Sequence, residues 1–527
     1  MDKRFIIGGL MFWAGLSGYM GLRVLESYTE DAVYAVLSVI PAQAQEIRYH
    51  FLTDDLRITG IEYEIPHETK VHRGTIESVE ISKFHRKIMF VKPQMPPYAA
   101  DELPRVGEDF KIRGIADRVH EGHSVLETKI ASVDMKGWYQ RIGLVLDHFA
   151  RKGVGEAFFE ELLRMRVDEF SASQIEMTLT DPAMQAPLTM RADQLTLPGG
   201  IPAPRGTERT TPVNFVLERA SFAQGELSGS AGRIDIHALR APEPDKLARI
   251  VALSRAIREG KPGATSEELT STLCTSWDKY VPFGSIGLQN VIVNFSKGAE
   301  PITASHISYA LKREGESWTD SMSCRGLNLK PDLFKGVEDT VKRFAPEGLK
   351  IDMTSESRSD SRSVHTTGSY DVNGLGRLQT STSLEGEFGK LRKLCLSSDV
   401  MNMDPFALAS GLKVQQFKIS YADSGLLPLI LSAIAANVDM PPAVLAQEAS
   451  TVAFGMATDG NTMLRKLGTA LGQQLLSPGE IEVEFKHEKG MNMNEFTALL
   501  FSEPAKLPLN VTSKPGTKPM QEYFLEK

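Results

Sequence analysis

Histidine beside a carboxylate is the pairing that builds zinc sites and general-base catalysis. The chain carries it twice, as His67-Glu68 with His72 and as His120-Glu121 with His123. A zinc hydrolase needs H-E-x-x-H, because that spacing puts both imidazoles on one helical face. Neither cluster has it, and both sit in strand or turn contexts rich in Lys, Arg and Glu, where solvated turn residues are the simpler reading. Gly229-Ser230-Ala231-Gly232 is not the nucleophile elbow G-x-S-x-G, and no strand-to-helix setting surrounds it. No phosphate-binding P-loop or dinucleotide G-x-G-x-x-G occurs. Gly374, Gly376 and Gly386 read as bends in polar strands. Asp371 in "YDVNG" and Asp423 in "YADSG" are single carboxylates in turns, without a neighbour in sequence that would shift their pKa. The three cysteines, Cys274, Cys324 and Cys395, are widely spaced and form no CxxC pair. Cys324 and Cys395 read as small buried hydrophobes, with a Cys274–Cys324 disulfide as the alternative in an oxidising compartment. No catalytic, cofactor-binding or metal-ligating set emerges. The expectation is a non-enzyme without cofactor or metal, a tethered hydrolase being the weakest of three functional readings.

The elements around these residues say more. The chain has 527 residues, too many for one ordinary core, so several modules or an elongated repeat are expected. With a net charge of −8 and no dense Lys/Arg block, nucleic acid is not the expected partner. Phe5 to Leu22 is an uncharged, mostly apolar run, long enough for a transmembrane helix. Lys3 and Arg4 precede it and Glu26, Glu30 and Asp31 follow, which places the N-terminus in the cytoplasm and the bulk of the chain across the membrane. The alternative is a cleaved signal peptide, since Ala42-Gln43-Ala44 has small-x-small form, although it lies far beyond the apolar run. Val33, Val36, Leu37 and Ile40 follow helical spacing within 28–46, and Pro41 kinks or ends that helix.

The main signal is a strand that changes phase. In "SIGLQNVIVNF", Ile286 and Leu288 occupy one phase of a period-2 pattern, then Val291, Val293 and Phe295 occupy the other. Leu56-Arg-Ile58-Thr-Gly60-Ile61, Phe110-Lys-Ile112-Arg-Gly114-Ile115 and Met322-Ser-Cys324-Arg-Gly326-Leu327 do the same. The pivots Gly60, Gly114, Asn290 and Gly326 are residue types that tolerate positive φ, as a bulge requires. Companion strands Ile76-x-x-Val79, Ile130-x-x-Val133, Ala192-x-x-Leu195 and Ala304-x-x-Ile307 also change phase once. The reading is a repeated bulge that returns later side chains to their original face and bends the sheet. Ile58, Ile61, Ile76, Val79, Ile112, Ile130, Leu288, Val291 and Ile307 are then expected on one continuous apolar surface.

Further strands are expected at Gly348–Met353, Val364–Tyr370, Arg377–Phe388, Val414–Tyr421 and Ile481–His487, with a polar hairpin tip or loop over 355–363. Helices are expected over Val154–Phe170, Lys246–Glu259, Asp332–Phe344, 424–448 broken at Pro441-Pro442, 460–476 and "MNEFTALLFS". The fold class is α+β, mainly β: a membrane helix followed by an elongated, curved antiparallel sheet with bulged repeat strands and helical insertions. The expected organisation is an anchor and juxtamembrane helix over 1–47, a repeat-strand region over 48–422, a helical and strand region over 423–510 and a loose tail over 511–527.

"DLRITGIEYEI…GTIESVEISKF", "SIGLQNVIVNF…ITASHISYALK", "VNGLGRLQTSTSLEG" and "ISYADSGLL…LLSPGEIEVEFKHEKGMNMNEF", after the Lys3/Arg4 start and the Phe5–Leu22 run, resemble the AsmA-like bacterial envelope proteins and their YdgA-like branch. The resemblance implies an inner-membrane-anchored, periplasmic protein with a long curved β-structure, a role in envelope maintenance and lipid handling, and a phospholipid or envelope-protein partner. The competing expectation is a periplasmic scaffold or interaction module with a closed core and no lipid ligand.

Overall fold

The computed structural model describes 26–35, 41–67, 70–85, 105–139, 166–201, 212–240, 283–296, 300–386, 411–458, 462–503 and 506–525, with isolated residues at 23, 37 and 388 and within 249–272. The protein is mainly β and divides into two units, Met1–Pro244 and Asp245–Lys527. The expected anchor Phe5–Leu22 lies outside the described residues. Among the described residues, no single helix is long and apolar enough to cross a membrane.

The first unit is an antiparallel meander of nine strands: β1 (Ala42–His50), β2 (Asp55–His67), β3 (Lys70–Ser82), β4 (Arg105–Glu121), β5 (Ser124–Tyr139), β6 (Arg166–Thr180), β7 (Leu188–Leu197), β8 (Val213–Gln224) and β9 (Leu227–Leu239). A helical segment over 26–35 covers its first edge. Glu30 accepts a hydrogen bond from the Tyr49 N–H at 2.9 Å and Glu26 accepts one from Phe51 at 3.2 Å. Those donors would otherwise be left open along the edge strand.

The pivots have the expected backbone. Gly60, Gly114, Asn290 and Gly326 all have positive φ, at 60°, 62°, 52° and 61°. The registers correct the mechanism, because no residue is inserted at three of these four. Thr59 pairs with Ser78 and Ile61 with Ile76, so Gly60 stands opposite Glu77 and the count is unchanged. The same argument sets Gly60 opposite Gln45, and Gly114 opposite both Glu77 and Ala131. It continues through Gln174 opposite Ala131 and Asp193, to Arg219 opposite Gly232. The phase change is thus one row across the whole meander, where facing strands switch together. The left-handed residues are Gly60, Gly114, Gln174 and Arg219, on β2, β4, β6 and β8. Sequence alone hides the last two, because neither is a residue type that favours positive φ.

A second row runs parallel to the first. Lys83, Glu108, Gly137 and Asp168 each lie six positions from the first-row residues Glu77, Gly114, Ala131 and Gln174. Here the left-handed residues are Lys83 and Gly137, at or just beyond the ends of β3 and within β5, and Ala238 on β9. Side chains take up the backbone and charge left over at the rows. The Ala238 N–H donates to Asn214 Oδ1 at 2.8 Å, Arg219 pairs with Asp193 at 2.5 Å, and Lys83 pairs with Glu108.

The second unit has β10 (Ser285–Asn294), β11 (Ile302–Glu314), β12 (Ser317–Leu329), α1 (Glu338–Phe344), β13 (Leu349–Ser359), β14 (Ser363–Val372), β15 (Gly376–Glu385), β16 (Lys413–Asp423), α2 (Leu426–Asn437), α3 (Pro442–Thr458), α4 (Thr462–Leu476), β17 (Glu480–Asn492), α5 (Met493–Ser502), β18 (Leu509–Lys514) and α6 (Met520–Leu525). Asn290, Ser305 and Gly326 form a short switch row on β10–β12. At this row one residue is inserted where β12 meets β13, between Cys324 and Leu327. There the Gly326 N–H donates to Asp352 at 2.6 Å.

Several expectations are corrected. Ala42-Gln43-Ala44 is the start of β1, paired with β2 through Tyr63, Glu62 and Ile61, so cleavage there would cut a strand. The C-terminal end of the Val154–Phe170 helix is strand β6, while 154–165 lies outside the described residues. Strands β8 and β9 were not expected. Of the expected loose tail over 511–527, residues 511–525 are ordered: β18 pairs with β17 from Glu480 to Phe485, and α6 follows. Only part of Asp332–Phe344 is helical, as a 3-10 turn at Pro331–Leu333 and then α1. Residues 249, 250, 253, 256 and 257 within Lys246–Glu259 are helical, as read from spacing.

Candidate functional site

The switch row gives the first unit two aliphatic ladders on one face. On one side of the row, Ile47, Ile58, Val79, Ile112, Val133, Ala172, Leu195, Leu217 and Ile234 are successive cross-strand partners. On the other side run Ala44, Ile61, Ile76, Ile115, Ile130, Ile175 and Ala192. Without the row, residues three apart such as Ile58 and Ile61 would point to opposite faces. Instead both belong to one core cluster with Ile76, Val79 and Ile112. A third ladder joins Tyr49, Leu56, Ile81, Phe110, Met135, Phe170 and Leu197. In the second unit Leu288 pairs with Ile307 and Val291 with Ala304, so the expected residues there also lie in cross-strand ladders.

Cover is uneven along this face. At β1–β3, Ile47, Tyr49, Leu56, Ile58, Ile61, Val79 and Ile81 are buried in a cluster that includes Val33 of the helical segment. Farther along, Val133, Ala172, Ala192 and Leu197 stay buried, but Ile112, Ile115, Ile130, Met135, Ile175 and Leu195 are only half-buried, and Met190 and Phe222 on β7 and β8 are exposed. The opposite face is charged and internally paired: Arg113 makes a bidentate contact to Asp134 at 2.8 and 3.1 Å, and Arg233 meets Glu218 at 2.9 Å. That Arg113 hydrogen bond holds the Asp134 carboxyl below its usual range.

Among the described residues, the polar side chains singled out in sequence lie apart from one another. His72 lies 3.8 Å from Asp117, whose carboxylate accepts the Tyr63 hydroxyl at 2.7 Å. Burial first, then that hydrogen bond, pushes the Tyr63 phenol far above its usual range, so it stays protonated. His120 stands opposite Val71 on the next strand, and His123 is exposed. The side chain of His67 and the whole of Glu68 are outside the described residues. Among the described residues, no three His, Cys, Asp or Glu side chains are grouped to hold a metal ion. A groove of about 930 Å³ lies beside Tyr63 and Asp117 and is lined by Glu62, Arg73, Arg118, Glu127 and Lys129, charges of both signs.

Asp423 does have a partner, Tyr421, which the sequence reading missed. The Tyr421 hydroxyl donates to it, and so do the N–H groups of Gly425 and Leu427, each at 2.8 Å, which fastens the start of α2. Burial nevertheless raises the Asp423 pKa. Asp371 accepts from Arg377 at 2.8 Å across the β14–β15 hairpin. Gly229 lies under the Phe222 ring within β9. Cys324 is a free, buried thiol, so it forms no bridge to Cys274; the latter and Cys395 are outside the described residues.

The model of a family described as "Uncharacterized protein" matches residues 369–514, the stretch from β14 to β18. No curated protein matches the chain.

Proposed function

We propose that this protein is a membrane-tethered, lipid-handling protein of the bacterial envelope, with acyl chains lying along the ladder face of the first unit. The observation that carries the reading is the alignment of aliphatic residues from β2 to β7 by the switch row, combined with the partial exposure of Ile112, Ile115, Ile130, Met135, Ile175 and Leu195 beyond β3. Apolar area on that scale is covered by something in a folded protein. The hydrophobic run Phe5–Leu22 and the AsmA-like resemblance supply the membrane setting. The test is mass spectrometry of lipids co-purifying with a chain that begins at Arg23. A start at residue 48 would remove most of β1 and the Val33 cover. Phospholipid that is retained by this chain and lost in Ile130→Glu supports the reading. Lipid-free, fully folded protein that complements a deletion overturns it.

A second reading, a scaffold with a closed core, is favoured by the fully buried cluster at β1–β3. It expects no bound lipid and the loss of a protein partner when the exposed Met190 and Phe222 are changed to Ser.

A further inference from the structure

Helix α2 reads LLPLILSAIAAN and carries no ionisable side chain on any face. Its inward side is accounted for: Pro428, Leu429, Leu431, Ser432 and Ala435 are buried. Its outward side is mostly aliphatic, with Asn437 its one exposed polar residue, where a solvent-facing helix side would be largely polar. Ile430, Ile434 and Val438, four residues apart and so on one stripe, are 44, 45 and 55% exposed. Helix α3 follows at a 107° bend, and the pair together has the length and apolar composition of a broken membrane span. Asp439 in the bend is exposed, as is Glu448 on α3 between the exposed Val444 and Val452.

We infer that the outward stripe of α2 docks on the hydrocarbon surface of a bilayer of neutral phospholipid, with Asp439 and Glu448 left at the headgroup level. Area argues against a protein occupant. On α2 three aliphatic side chains about half exposed offer roughly 250 Å², and even with the exposed Val444, Val452 and Met456 of α3 the total falls short of the about 800 Å² per partner in a stable protein complex. Chemistry argues the same way, since the stripe has none of the Tyr, Trp or Arg anchors that dominate protein interfaces. A lipid surface needs only an aliphatic face without charge, and a tether elsewhere in the chain makes a weak contact effective. The inference rests on the tether in the proposed function, but not on lipid in the ladders of the first unit.

The test is photo-crosslinking of the full chain, reconstituted in phosphatidylcholine vesicles that carry a phospholipid with a diazirine in its acyl chain. Adducts are mapped to peptides. Adducts on 426–438 support docking; adducts on 5–22 report the tether, and adducts on β4–β7 report the proposed function, so the three fail separately. The triple variant Ile430→Ser, Ile434→Ser, Val438→Ser changes exposed positions. It should keep its melting temperature and lose α2 adducts about tenfold or more. Strong tether adducts with none on α2, or α2-to-α2 protein crosslinks in place of lipid adducts, would overturn the inference.

Discussion

Gly114 on β4 lies directly opposite Glu77 on β3, and a Cβ at Gly114 would sit 2.3 Å from the Glu77 carboxyl carbon. The left-handed φ of 62° strains any residue with a Cβ there, and the folded-over Glu77 side chain would have to move. Gly114→Val should destabilise the first unit by about 1–3 kcal/mol or more, from backbone strain and displacement of Glu77. Arg113→Val, one residue away, removes a half-exposed ion pair worth about 0–1 kcal/mol. Urea unfolding of the two variants checks the order. Equal losses would mean that the row does not depend on its left-handed residues.

Gln174 occupies the same row with a φ of 49°, a strained choice for a residue with a Cβ. Glycine in a strand ordinarily destabilises by about 0.5–1 kcal/mol, yet relief of left-handed strain is worth about 1–2 kcal/mol. Gln174→Gly is therefore expected to leave the melting temperature unchanged or raise it. A clear fall, as large as that of a Glu176→Gly control measured alongside, would contradict this.

The uneven cover of the ladders gives a contrast between two isoleucines. Ile58 is buried in the β1–β3 cluster, so Ile58→Glu leaves an unpaired buried carboxylate and should unfold the unit at neutral pH. Ile130 is half-buried, and Ile130→Glu should remain folded by circular dichroism. If both variants unfold, the middle strands are as closed as the first three.

Cys324 is buried beside Ile307 and Met353, and burial pushes its thiol pKa up. The thiolate is the reactive form, so native protein at pH 8 should leave Cys324 unmodified by a maleimide and react there only in denaturant. Peptide mapping after labelling reads this residue separately from Cys274 and Cys395.

Asp423 gives a pH dependence of definite sign. Burial raises its pKa in the folded state, so the folded chain holds the proton more tightly than the unfolded chain. Its contribution is therefore fully present below the ordinary Asp range and is lost as pH rises through the raised value. Asp423→Asn cannot titrate and should flatten that fall in urea stability across the window above the ordinary carboxylate pKa. An unchanged slope would assign the dependence to other groups.

Sequence by itself located four of the left-handed pivots, all Gly or Asn, and left another, Gly137, unseen. Gly60, Gly114, Asn290 and Gly326 were legible because the apolar phase changes around a residue with little or no penalty at positive φ. It did not disclose Gln174 or Arg219. Their phase change is present in the apolar pattern, as in Phe215, Leu217, Ala220 and Phe222, but the pivots are types with no preference for that conformation. Nor could it show that the pivots share a row, or that most of them insert nothing. Register belongs to pairs of strands tens of residues apart, and only the assembled meander sets Gly114 between Glu77 and Ala131. The tertiary structure likewise decided that Tyr421 reaches Asp423 and that the C-terminal segment becomes β18. Local propensity is blind to both, because the partner that stabilises each arrangement, packing for one and the edge of β17 for the other, exists only once the chain has folded.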